Sequence, residues 1–133
     1  MQQQTSTFLN KAGLNIFTRT WLPDTNTRGI IIIVTGFNSH SGYYQWVAEQ
    51  FTQQNYAVYA LDLQGRGHSA GERFYMQNIE DSISDIDTLV DIATTAQKGM
   101  PAFGLGQSVG GVLSAISAKE QQEKTNGHIS EKD

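Results

Sequence analysis

The stretch Arg28-Gly29-Ile30-Ile31-Ile32-Ile33-Val34-Thr35-Gly36 decides the fold class. Four isoleucines and a valine follow one another with no polar residue between them. A strand with one wetted face would alternate apolar and polar residues, because successive side chains point to opposite faces. A continuous β-branched run instead suits a strand covered on both faces, as in a parallel sheet flanked by helices. A second run, Tyr56-Ala57-Val58-Tyr59-Ala60-Leu61, and a shorter one, Pro101-Ala102-Phe103-Gly104-Leu105, lie downstream.

The segments between these runs read as helices. Over 42–55, Tyr43, Tyr44, Trp46, Val47 and Phe51 recur on a roughly helical period, which suits core and groove packing. Ile79, Ile83, Ile86, Leu89, Val90 and Ala93 recur at three- and four-residue spacing and predict an amphipathic helix over 79–96, stopped by Gly99. Upstream, Phe8–Asn10, the turn Lys11-Ala12-Gly13 and Leu14–Leu22 read as a β-hairpin whose second strand is half-buried at best. The order hairpin, then β-α-β-α-β-helix, implies a mostly parallel sheet with right-handed crossovers. The polar stretch from Lys119 to Asp133 has no apolar pattern. The expected division is a folded portion over 1–119 and a disordered polar tail over 120–133.

Composition excludes several functions. At 133 residues and 38% apolar content, the chain fits a single globular domain. A net charge of −4, without any long Lys/Arg cluster, argues against a nucleic-acid-binding face. The absence of cysteine removes disulfides and thiolate metal sites. The first residues lack the pattern of a signal peptide, and the apolar run Ile30–Val34 is far shorter than the ~20 residues that span a bilayer. The expectation is a cytoplasmic protein with no metal and no cofactor.

Ligands of open parallel sheets bind outside the carboxyl ends of the strands. Three loops leave those ends: 35–41, 62–71, and the connection at Gly106-Gln107-Ser108-Val109-Gly110. The last has the G-x-S-x-G pattern between a strand and the helix-like stretch Gly111–Ala118, which is the context of a nucleophile elbow. Gly106 and Gly110 leave room for the sharp turn that lifts the Ser108 hydroxyl toward substrate. The following helix directs amides and its positive end at the same point, which suits an oxyanion. A phosphate-binding loop is the alternative. It lacks support, since neither G-x-G-x-x-G nor a Walker lysine is present. A serine hydroxyl also needs a base. His40 and His68 lie in loops on the site side, where a loop-stabilising hydrogen bond is the better reading. His128 follows Ser108, but a helix rising ~1.5 Å per residue carries the chain roughly 15 Å away first. Glu120 and Glu123 are the candidate acids between them.

Three blocks now stand in order: Asn38-Ser39-His40-Ser41-Gly42-Tyr43-Tyr44, Tyr59 to Gly71, and Gly104 to Gly111. Together they resemble the monoacylglycerol lipase and lysophospholipase branch of the α/β-hydrolases, which includes serine aminopeptidase-like proteins, over about Phe8 to Lys119. The resemblance implies an α/β-hydrolase fold with an N-terminal β-hairpin and its C-terminal half absent. It implies hydrolysis of monoacylglycerol- or lysophospholipid-type esters by Ser108, with oxyanion amides from Phe37 and Val109. Thr35 stands where the family has a histidine before the oxyanion glycine, and Gln107 where it has one before the nucleophile. Arg66 and His68 are exchanged relative to the common pattern. Only Val109 to Asp133 follow the serine, and the resemblance implies that the family's acid, histidine and cap would be expected outside this stretch. The rival reading is a catalytically inactive truncated domain that binds a partner or has no role. The expected partners are a small lipid or ester substrate and no nucleic acid. A cap would allow transient membrane-surface contact, and the apolar strand around Phe103, left as an open edge, would favour self-association.

Overall fold

The computed structural model describes residues 1–34, 44–62, 69, 79–107 and 127–131. Among them run β1 (Gln2–Leu9), β2 (Asn15–Leu22), β3 (Gly29–Val34), α1 (Gln45–Gln53), β4 (Tyr56–Leu61), α2 (Ile79–Ala96), β5 (Ala102–Gln107) and β6 (Gly127–Glu131). The strands form one sheet in the order β1-β2-β4-β3-β5-β6. β3 is parallel to β4 and β5, β5 is parallel to β6, and β2 is antiparallel to β1 and β4. This is the expected mostly parallel sheet with an antiparallel N-terminal hairpin.

The isoleucine run behaves as its composition demands: every residue of β3 is buried. Ile30, Ile32 and Val34 face one side, where they join Ala57, Tyr59 and Leu61 of β4 and Ile83, Ile86 and Leu89 of α2. Ile31 and Ile33 face the other, with Val58, Ala60, Trp21 and Ala48 of α1. Each fully buried isoleucine contributes about 1.5–3 kcal/mol relative to exposure. Among the described residues, no helix is long and apolar enough to cross a membrane.

Four expectations are corrected. The hairpin's first strand begins at Gln2, not Phe8, and its polar residues are held by backbone pairing from Gln2↔Leu22 to Leu9↔Asn15. β2 is half-buried as expected, with Ile16, Thr18 and Trp21 buried, but on both faces: it lies between β1 and β4, with Ile16 on the α2 side and Trp21 on the α1 side. Trp46 is 70% exposed, so it is not a core residue; Tyr44 and Ala48 bury the helix instead. The segment 127–131, assigned to a disordered tail, forms β6 alongside β5, from Phe103↔Gly127 to Gln107↔Glu131. The edge of β5 offers unpaired amides and carbonyls, and these select a strand by backbone geometry rather than by hydrophobicity. β5 is therefore not the open edge; β1 and β6 are the outer strands among the described residues. The 119/120 boundary lies outside them.

Candidate active site

The four parallel strands end together. Leu61 of β4 pairs with Val34 of β3, Val34 pairs with Gly106 of β5, and Gly106 pairs with Ser130 of β6. With neighbouring strands ~4.8 Å apart, this row fixes the departure points of the loops after β3, β4 and β5 within a short span of one edge. Ser108 follows Gln107, the last residue of β5, directly in sequence. Gly106, the first glycine of the G-x-S-x-G pattern, lies in β5 itself. Ser108, Phe37, Val109 and Gly110, together with His40, His68, Arg66 and the acids Glu120 and Glu123, lie outside the described residues.

The connection leaving β4 is anchored by a small polar network. Asp62 is fully buried, and its backbone N–H donates to the Phe17 carbonyl at 2.9 Å. Ser69 is buried and works in both directions: its Oγ donates to the Asp62 carbonyl and accepts from the Phe17 N–H at 2.8 Å. One hydroxyl thus ties the two ends of the 62–69 segment to each other and to β2. Sequence reasoning gave Ser69 no part in the site. Its signal was weak, since a serine in a glycine-rich loop looks like any turn residue.

The hairpin turn reaches the same edge, because β2 begins beyond the carboxyl end of β4, with Thr18↔Leu61. Asn10 Oδ1 accepts from the N–H groups of Ala12 at 3.0 Å and Leu14 at 2.9 Å, while its Nδ2 donates to Asp85 Oδ2 of α2 at 3.3 Å. Burial pushes the Asp85 carboxyl up to about 6; the Asn10 bond opposes that shift, Asp81 adds to it and Lys11 opposes it. Gly13, with φ of +81°, supplies the left-handed residue the turn needs.

Backbone register also bears on the downstream residues. His128 pairs with Gly104, three positions before the row of Gln107, or about 10 Å back along the strand. That placement adds to the case against His128 as the base. Glu131 pairs with Gln107 and so reaches the site edge, a placement missed because the tail showed no strand pattern. Elsewhere, a cleft of about 300 Å³ opens between the hairpin and α2, lined by Ser6, Phe8, Thr20, Leu22, Leu89 and Ile92 among others. It holds no carboxylate, imidazole or basic group and lies on the flank of the sheet.

Similarity to known proteins agrees with this geometry. The chain is 36% identical over 104 residues to a monoacylglycerol lipase of Mycolicibacterium smegmatis, covering 78% of this chain and 37% of that protein. It is 31% identical over 113 residues to human monoglyceride lipase, covering 85% of this chain and 37% of the relative. The chain thus spans little more than a third of the length of each of these two relatives. A thermostable carboxyl esterase from Bacillus coagulans, solved with glycerol, superposes with a TM-score of 0.88 at 25% identity, over 98% of this chain and 44% of the esterase. Residues 25–131 match the serine aminopeptidase S33 family. The chain, with its hairpin, parallel strands and common carboxyl edge, belongs to that family and has the α/β-hydrolase fold.

Proposed function

We propose that this chain carries the nucleophile half of a serine hydrolase acting on carboxylic esters of the monoacylglycerol or lysophospholipid type. The observation that carries the reading is the common row Leu61–Val34–Gly106, from which Ser108 is two residues removed in sequence. In this reading Ser108 Oγ attacks the ester carbonyl. The N–H groups of Phe37 and Val109 stabilise the oxyanion, each such donor being worth about 10²–10³ in turnover. The alcohol leaves with a proton, and water then releases the acid from the acyl-serine. The acid and base belong to the part of the relatives' length that this chain does not span. Gly106 and Gly110 serve the turn, and no cofactor or metal enters the chemistry. Any membrane contact would come through a cap following the nucleophile helix. Self-association would run through β1 or β6, because β5 is paired on both sides.

The rival reading is a catalytically inactive domain. Hydrolysis of a monoacylglycerol by a protein that joins this chain to the part of the relatives' length it does not span, compared with the same protein carrying Ser108→Ala, separates the two. Serine-dependent release of fatty acid supports the hydrolase. Equal release from both proteins, or none from either when folded, supports the inactive domain.

A further inference from the structure

We propose that the Asn10–Asp85 contact is a protonation-controlled latch, which holds the hairpin turn on α2 when Asp85 is neutral and loosens when Asp85 ionises. The geometry of the turn comes first. Both turn amides, Ala12 and Leu14, donate to Asn10 Oδ1, so the carboxamide is oriented with Nδ2 toward the helix. That amide meets Asp85 Oδ2 at 3.3 Å, at the long end for an N–H···O bond. Asp85 is 2% exposed. An ionised carboxylate offers about four acceptor sites, and among the described residues one long bond, from Asn10, serves it in a nearly fully buried place. The neutral acid removes the cost of burying charge while Oδ2 still accepts from Asn10.

The surrounding charges do not rescue the ion. Lys11, from the turn, has its Nζ 3.5 Å from Asp81 Oδ1 and is shared with that carboxylate. Asp81, one turn earlier on α2, opposes ionisation of Asp85, and Lys11 favours it more weakly. From the sheet side, Phe8 and Ile16 pack into the apolar cluster of Ile83 and Ile86. β4 brings a second buried carboxyl, Asp62, to the same edge of the sheet. Burial is thus the dominant influence, consistent with the carboxyl rising to about 6.

The latch connects to the site edge through β2. Strand β2 leaves the turn at Asn15, and two residues later the Phe17 N–H donates to Ser69, which holds the Asp62 carbonyl. Loosening the turn therefore loosens the strand segment that anchors the connection after β4. This inference does not depend on the role of Ser108.

Amide exchange of Ala12 and Leu14, followed by NMR and corrected for intrinsic rates, tests it. Between about pH 5.5 and about pH 7.5, protection should fall about fourfold in the parent, the change in proton linkage for this carboxyl across that window. In Asp85→Asn it should not change. Constant protection in the parent, or an equal fall in the variant, overturns the proposal. If Asp85→Asn does not fold, carbon-13 titration of the parent decides. The Asp85 carboxyl and the Asn10 side-chain amide must then move with one midpoint, near 6. A midpoint in the ordinary carboxylate range, or an Asn10 amide that does not follow, overturns it equally.

Discussion

At their amino ends β3, β4 and β5 close over apolar and aromatic contacts, whereas at their carboxyl ends the buried positions turn polar. On the amino side, Gly29 lies against the ring of Tyr56, which the Arg28 guanidinium covers at 4.8 Å and Phe51 meets edge-on at 6.1 Å. Backbone bonds of 2.8 Å from Arg28 to Asn55 and from Ile30 to Pro101 finish that end. On the carboxyl side, Asn10, Thr18, Asp62, Ser69, Ser82 and Asp85 are all buried. Buried polar groups lower stability unless they are hydrogen-bonded, and a fold concentrates them where loops must be held in place. The amino end serves cohesion; the carboxyl end spends stability on holding the loops of the candidate site.

Substitutions can break or sharpen this contrast. The largest effect belongs to neither end. Ile32→Ala, in the middle of the sheet, should cost about 2–5 kcal/mol in denaturant unfolding, through lost burial and a residual cavity. Next comes Gly29→Val at the amino end. A Cβ there would stand 2.7 Å from Tyr56 Cε1, so overpacking should cost about 1–3 kcal/mol while leaving reactivity at Ser108 intact. At the carboxyl end, Ser69→Ala removes the acceptor of the Phe17 N–H and should cost about 1–2 kcal/mol. It should also slow reaction at Ser108 at temperatures where both variants are fully folded. Equal reactivity in the Gly29 and Ser69 variants would dissolve the functional side of the comparison.

The last contrast lies in pH dependence. Asp85 rises from 3.8 to about 6 on folding, so the folded chain binds its proton more tightly than the unfolded one. The stability from neutral Asp85 is present in full below the lower value, is lost as pH rises through the upper one, and stays lost above it. Asp85→Asn should therefore flatten the melting temperature across that window and raise it relative to the parent at neutral pH. A parent profile that rises with pH there would contradict the sign.

Sequence made the centre of the fold legible and left its margins obscure, for one physical reason. β3 and β4 are buried on both faces, so hydrophobicity alone had to mark them. The 79–96 helix buries one stripe, so its period had to show. β1 and β6 are outer strands specified by backbone pairing, and a run such as Gln2-Gln3-Gln4-Thr5-Ser6-Thr7 carries no side-chain signal of that. Trp46 misled because a large aromatic was read as core when the helix presents it outward. At the site, the convergence of three strand ends followed from the β-α-β order. The Ser69 bridge and the Asn10–Asp85 contact did not, because both join residues more than fifty positions apart.

The central claim is that Ser108 is a nucleophile presented at this edge. The most direct test joins this chain to the part of the relatives' length it does not span and treats the folded protein with a fluorophosphonate, with the adduct mapped by mass spectrometry. The account predicts one adduct on Ser108 in the parent and none in Ser108→Ala. An unmodified Ser108 in folded protein, or an adduct that persists in the variant, would contradict it.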